Sequence, residues 1–106
     1  MKNNDDIVIV SGARTAIGTL GGSLKDVHQH DLGAITIREA VLRAGIEPAM
    51  VDEVIVGNVG QVAESGFIGR ICQLRAGLPK ETTAYSVNRQ CGSGLQAVAD
   101  GMMQLQ

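Results

Sequence analysis

Three short runs rich in β-branched residues, spaced by stretches with helical periodicity, constrain what this 106-residue chain can fold into. Ile7-Val-Ile-Val10 has no polar alternation and fits a strand buried on both faces. Val54-Ile-Val56 repeats that pattern and is closed by Gly57-Asn58. Ala84 to Val87 makes a third strand. Helical spacing predicts helices near 32–44, 69–76 and 93–105. The order β-α-β-α-β-α predicts an α/β fold with a parallel sheet, because parallel strands need a crossover long enough to hold a helix, and that crossover is right-handed.

The helix ends carry signals of their own. The first helix is predicted to start from an Asp31 N-cap and to stop at Gly45, with Arg38 and Arg43 toward the end where cations suit the dipole. Its apolar stripe reads Leu32, Ile35 and Leu42, with Ile37, Ala40, Val41 and Ala44 beside it. The second ends at Gly77, with Pro79 just beyond. The third is different. Leu95, Val98, Ala99, Met102 and Leu105 keep helical spacing, yet Asp100 is the only charge between Gln90 and Gln106. A helix lacking a charged face is normally covered on most sides. Nothing else in the sequence is large enough to cover it, so the expectation is a partial βαβαβα half-domain, the front part of a larger protein.

Composition bounds the function classes. The length leaves room for one domain at most. A hydrophobic fraction of 44% fits a globular chain. A net charge of −2 and 2% aromatic residues give no basis for binding nucleic acid or an anionic membrane. No apolar run approaches the length of a membrane span. The polar start, Met1 to Asp6, resembles neither a signal peptide nor a transit peptide. Two cysteines, Cys72 and Cys91, are too few for a disulfide scaffold and lack metal-ligand spacing, which points to a reducing, cytoplasmic setting.

Cys91 is the residue with chemistry in it. The run Val87-Asn-Arg-Gln-Cys91-Gly-Ser-Gly94 joins the third strand to the third helix. A thiol there sits at a helix mouth, where unpaired N–H groups and the dipole favour negative charge. The thiolate is the nucleophilic form. Gly92, Ser93 and Gly94 have almost no side chain, so a substrate could approach the backbone closely. The pattern suits covalent catalysis at a carbonyl carbon.

Taken in order, the blocks resemble the N-terminal part of a thiolase. Val10-Ser-Gly-Ala-Arg-Thr15 followed by Gly18 and Gly21 is similar to that family's first strand and loop. Val54-Ile-Val-Gly-Asn-Val59 is similar to its second strand, Ala76-Gly-Leu-Pro79 to the end of its second helix, and Val87 to Gly94 to its nucleophile loop. Ser65-Gly-Phe-Ile-Gly-Arg70 departs from the Gly-Gln-Asn-Pro-Ala-Arg-like segment of many thiolases, so no biosynthetic or degradative branch is assigned. The resemblance implies a thiolase-like fold and ping-pong acyl transfer between coenzyme A thioesters, with Cys91 carrying the acyl group and its own N–H helping to hold the oxyanion. It implies acyl-CoA and CoA as substrates, no permanently bound cofactor, and a homodimer or homotetramer. The activating histidine, the second cysteine and the CoA-binding loop of the family come from later sequence, so this segment alone is expected to be inactive.

The remaining candidates have plainer readings. Cys72 falls with Ile68, Ile71 and Arg75 on one helical series and reads as core. His28 and His30 read as solvated loop residues, since a metal would need more ligands converging. The Gly18 to Gly22 loop lacks both phosphate-binding spacings. Arg14 and Arg70 read as surface or interface ion-pair residues, and Met102 and Met103 as packing. A ketoacyl-synthase-like condensing enzyme is the nearest alternative. A non-catalytic module acting through association is the alternative from a different class.

Overall fold

The structure, a computed structural model, describes residues 5–106; the first four residues of the polar start lie outside it. Helix α1 (Gln29–Ala44) leads to strand β1 (Glu53–Gly57), helix α2 (Ile68–Arg75), strand β2 (Thr83–Val87) and helix α3 (Ser93–Leu105). The strands pair in parallel, Val54 opposite Ala84 and Gly57 opposite Val87. Thr83 N–H to Asp52 O and Asn58 N–H to Val87 O continue the pairing beyond both ends.

Alternation along each strand divides the side chains between two layers. Val54, Val56 and Ala84 join Ala34 and Ile37 of α1 with Ala76 and Leu78 in the apolar core. The Ser86 hydroxyl on the same face accepts the Gly69 N–H of α2. Gly57 and Tyr85, on the other face, meet α3. The sheet therefore carries α1 and α2 on one side and α3 on the other.

The first predicted strand is a correction. Ile7–Val10 adopts no regular secondary structure and joins no ladder, and Ile9 is 85% exposed. The sheet of the described residues contains only β1 and β2. A β-branched run reports fitness for a pleated, covered surface, and it becomes a strand only when neighbouring strands supply that surface. Here the segment that follows is tied to α1 through the Ser11 hydroxyl, which donates to Ala40 O at 2.6 Å, and through Arg43, which donates to Gly12 O.

Two details of α1 also differ from expectation. The N-cap is His28, with no side-chain cap, and Asp31 lies inside the first turn. Its carboxylate accepts from Arg75 Nη1 at 2.8 Å, clamping α1 to α2. Ile35 and Leu42 face solvent, and the row through Ala34 and Ile37 faces the sheet instead. The helix stops at Gly45, whose left-handed backbone (φ 69°) and N–H bond to Leu42 O terminate it.

Buried polar groups fix the return from α2 to β2. Gln73, fully buried, donates to Pro79 O at 2.7 Å and accepts from Arg70. Arg70 also donates to Thr82 O and Lys80 O. Arg70 thus satisfies backbone carbonyls of the turn rather than forming a surface ion pair.

Candidate active site

Cys91 is exposed at the mouth of α3, on the tight turn that leaves β2. Gly92 caps the helix without a side-chain contribution. Within the turn, Gly92 N–H bonds Arg89 O and Ser93 N–H bonds Gln90 O. Gln96 N–H then starts the helical pattern on Gly92 O at 2.9 Å. Among the described residues no backbone acceptor closes on the N–H groups of Cys91, Gly94 and Leu95. These donors point out of a helix N-terminus, the geometry that favours a developing negative charge.

Ser93 does more than leave space. It is 4% exposed, and its hydroxyl accepts the Arg89 N–H at 2.8 Å while donating to Gln90 O at 2.7 Å. Asn88 braces the same turn from the other side, its Oδ1 accepting the Gln90 N–H at 3.0 Å. Gln90 between them has φ 50°, the only positive value at a non-glycine among the described residues. A residue with a Cβ pays roughly 1 kcal/mol for that conformation.

A second network supports the turn from below. Arg89 donates to Gln96 Oε1, Gln96 donates to Asp100 Oδ1 at 2.7 Å, and Tyr85 OH donates to Asp100 Oδ2 at 3.3 Å. Gln104 in turn donates to the Tyr85 oxygen. Desolvation first, and the Asp100 carboxylate second, push the Tyr85 phenol up, so it acts as a neutral donor to Asp100. The single charge of α3 thereby anchors β2 and, through Gln96, the residue two before Cys91.

Gly57 sets how closely the helix mouth sits on the sheet. A Cβ at Gly57 would collide with the Ser93 carbonyl carbon and lie 2.5 Å from Ser93 O and 2.6 Å from Gly94 N. Only a hydrogen in that position lets the first turn of α3 rest against β1. The sequence singles out Cys91 with Gly92, Ser93 and Gly94 as small neighbours, but the bracing by the Ser93 hydroxyl and by Asn88, and the close approach at Gly57, emerge only from the structure. Asn88 was the most legible of the three, since an Asn two residues before a turn residue is an Asx-turn signal.

The other sequence candidates are not brought to this site. Cys72 is fully buried between α1 and α2, its thiol donating to His30 O at 3.4 Å. Burial pushes that thiol up, opposed in part by Arg75. His30 is buried, contrary to the solvated reading, and stacks on His28 with ring centroids 4.9 Å apart. His30 is the second residue of α1 rather than a loop residue, and the Cys72 thiol of α2 bonds its carbonyl. Among the described residues no group of three or more His, Cys, Asp or Glu side chains could hold a metal ion, and no helix is long and apolar enough to cross a membrane. A concavity of about 850 Å³ between residues 5–8 and the end of α3 is at the far end of that helix from Cys91.

Known proteins resemble this chain in sequence and in fold. Residues 7–106 match the family described as thiolase, N-terminal domain. An acetyl-CoA acetyltransferase of Syntrophomonas wolfei is 49% identical over 94 residues, which are 89% of this chain and 24% of that protein. One from Rhizobium meliloti is 47% identical over 103 residues, 97% of this chain and 26% of that protein. The crystal structure of the Bacillus anthracis acetyl-CoA acetyltransferase superposes with a TM-score of 0.88 at 43% identity, over 92% of this chain and 25% of that one. A thiolase from Ascaris suum, crystallised with coenzyme A, gives a TM-score of 0.89 at 28% identity, over 92% of this chain and 26% of that one. The chain spans about a quarter of the length of the curated relatives it matches. With a family match over residues 7–106 and an acetyl-CoA acetyltransferase structure of the same fold at 43% identity, this chain belongs to the thiolase family and corresponds to its N-terminal domain.

Proposed function

We propose that the segment supplies the acyl-carrying nucleophile of a thiolase-type acyltransferase, with Cys91 in that role. The sulfur attacks the carbonyl carbon of an acyl-CoA thioester; a new S–C bond forms as the bond to the CoA sulfur breaks, and CoA leaves as its thiol. A second CoA thioester, or CoA itself, then takes the acyl group from Cys91. The observation that carries this reading is the exposed thiol at the mouth of α3 beside N–H groups that have no backbone acceptor. The Cys91 N–H is the proposed oxyanion donor. Substrates are coenzyme A thioesters, held without a permanent cofactor. Two free cysteines fit a cytoplasmic setting.

Iodoacetamide at neutral pH tests the nucleophile. Cys91 is expected to be alkylated much faster than an unstructured peptide of residues 88–94, while Cys72 stays unlabelled; a Cys91 rate equal to the peptide's overturns the reading. The 106-residue chain by itself is expected to show no thiolysis of acetoacetyl-CoA, since the resemblance puts the acid/base partners in other sequence. Measurable turnover would refute that.

The outward face of α3 favours association as a second property. Leu95 is 77% exposed, and Val98, Met102, Met103 and Leu105 are exposed with it. A contiguous apolar surface of this kind drives contact between copies. The chain is expected to self-associate through α3, and sedimentation showing a monomer at high concentration contradicts it.

A further inference from the structure

We infer that Ser93 and Asn88 are positioning residues for Cys91, acting through the left-handed backbone of Gln90. This deepens the proposed function and rests on Cys91 being its nucleophile. Gln90 immediately precedes Cys91, so its φ and ψ set where the Cys91 N–H and Cβ point. At φ 50° that residue is outside the region preferred by side chains, and it relaxes to negative φ unless its surroundings hold it.

The restraints are specific. Asn88 Oδ1 takes the Gln90 N–H, fixing the peptide before the residue. The Ser93 hydroxyl donates to Gln90 O and the Ser93 N–H bonds the same oxygen, fixing the peptide after it, which is the peptide that carries the Cys91 N–H. By accepting the Arg89 N–H as well, Ser93 ties the entrance of the turn to its exit. Because Ser93 is buried, water cannot easily replace the bonds its hydroxyl makes, whereas the Asn88 bond is open to solvent. Gly57 below leaves Ser93 no room to withdraw toward the sheet. The two side chains therefore hold a strained peptide whose relaxation would rotate the Cys91 N–H and thiol away from the helix mouth. The field of the helix N-terminus acts on the sulfur only while it stays there, because that field fades within a turn.

The test is the rate of Cys91 alkylation by iodoacetamide in the 106-residue chain. Ser93→Ala is expected to lower it about tenfold, the upper range for one lost hydrogen bond, and Asn88→Leu, whose bond is exposed, about threefold. Asn88→Ser keeps a neutral, weaker acceptor for the Gln90 N–H and is expected to recover part of the rate lost in Asn88→Leu. Gln90→Gly, which adopts positive φ without cost, is expected to make the rate insensitive to Asn88→Leu. Cys72 staying unlabelled shows in each variant that the α1–α2 layer is intact. If Ser93→Ala fails to fold, the Asn88 and Gln90 pair decides alone. A fast wild-type Cys91 with unchanged rates in folded variants overturns the positioning roles and leaves the nucleophile standing. A wild-type Cys91 no faster than the 88–94 peptide removes the nucleophile and this inference with it.

Discussion

The two cysteines sit on opposite faces of one small sheet and show what each face is built for. On the α1–α2 side, Cys72 is fully buried, its thiol bonds a carbonyl, and the surrounding polar groups are spent on Asp31–Arg75 and Gln73–Arg70 clamps. On the α3 side, Cys91 is exposed on a strained turn and the polar groups around it brace the turn. The first layer packs its cysteine away, although Ile35 and Leu42 on its outer side remain exposed. The second has apolar surface and backbone donors turned outward. A cysteine's role is thus decided by where the hydrogen bonds around it go, a distinction composition cannot make.

The contrast breaks most sharply at the glycine beneath each site. At Gly57 an added Cβ meets only the backbone of Ser93 and Gly94, which cannot move without shifting the whole of α3. Gly57→Ala is expected to cost about 3 kcal/mol, the upper end of overpacking penalties, read from the urea midpoint. It is also expected to change the labelling rate of Cys91 while Cys72 stays protected. A loss under about 1 kcal/mol would show that the α3 layer yields easily and that its close seating is incidental.

The legible and illegible parts of the chain divide along the same line. β1, β2 and the three helices announce themselves through periodicity and through Gly45 and Gly77, because these are local properties. The Val87 to Gly94 loop was legible as a motif, and its place at the head of α3 followed from the helical spacing after it. Ile7–Val10 was misread because strand formation needs a partner, and periodicity speaks only to the segment itself. The Asp31 N-cap was misread because the carboxylate had a better use, the Arg75 guanidinium 44 residues away in sequence. Ser93 and Gly57 were illegible for one reason: their roles depend on how near two elements lie, and no spacing in the sequence records that distance.

Gly33 sharpens the comparison from the closed side. A Cβ there would lie 2.5 Å from the Cys72 sulfur, a side-chain atom that can turn aside at a cost. Alanine gains about 1 kcal/mol of helix propensity over glycine, while overpacking costs about 1–3 kcal/mol. Gly33→Ala is therefore expected to destabilise by roughly 1 kcal/mol. Cys72→Ala alone should cost about 1–2 kcal/mol through the space it leaves. In the double variant the new methyl fills that space, and Gly33→Ala is expected to stabilise the Cys72→Ala background. A double-mutant cycle with additive effects would show that the α1–α2 contact is not close-packed at this point.

The smallest effect expected is on pH dependence, and it separates the cysteines without perturbing either layer. Burial raises the Cys72 thiol above the 9.0 usual for cysteine. Between that value and the higher native one, the folded chain keeps a proton that the unfolded chain has lost. Stability then falls as pH rises through this window, because the unfolded state binds fewer protons. Below pH 9.0 the contribution is fully present, and above the native value it is gone. Urea midpoints taken from neutral pH upward should therefore decline more steeply for the wild type than for Cys72→Ala. A decline that persists unchanged in Cys72→Ala would assign it to another group, with Tyr85, whose phenol is also raised, the next to replace by Phe.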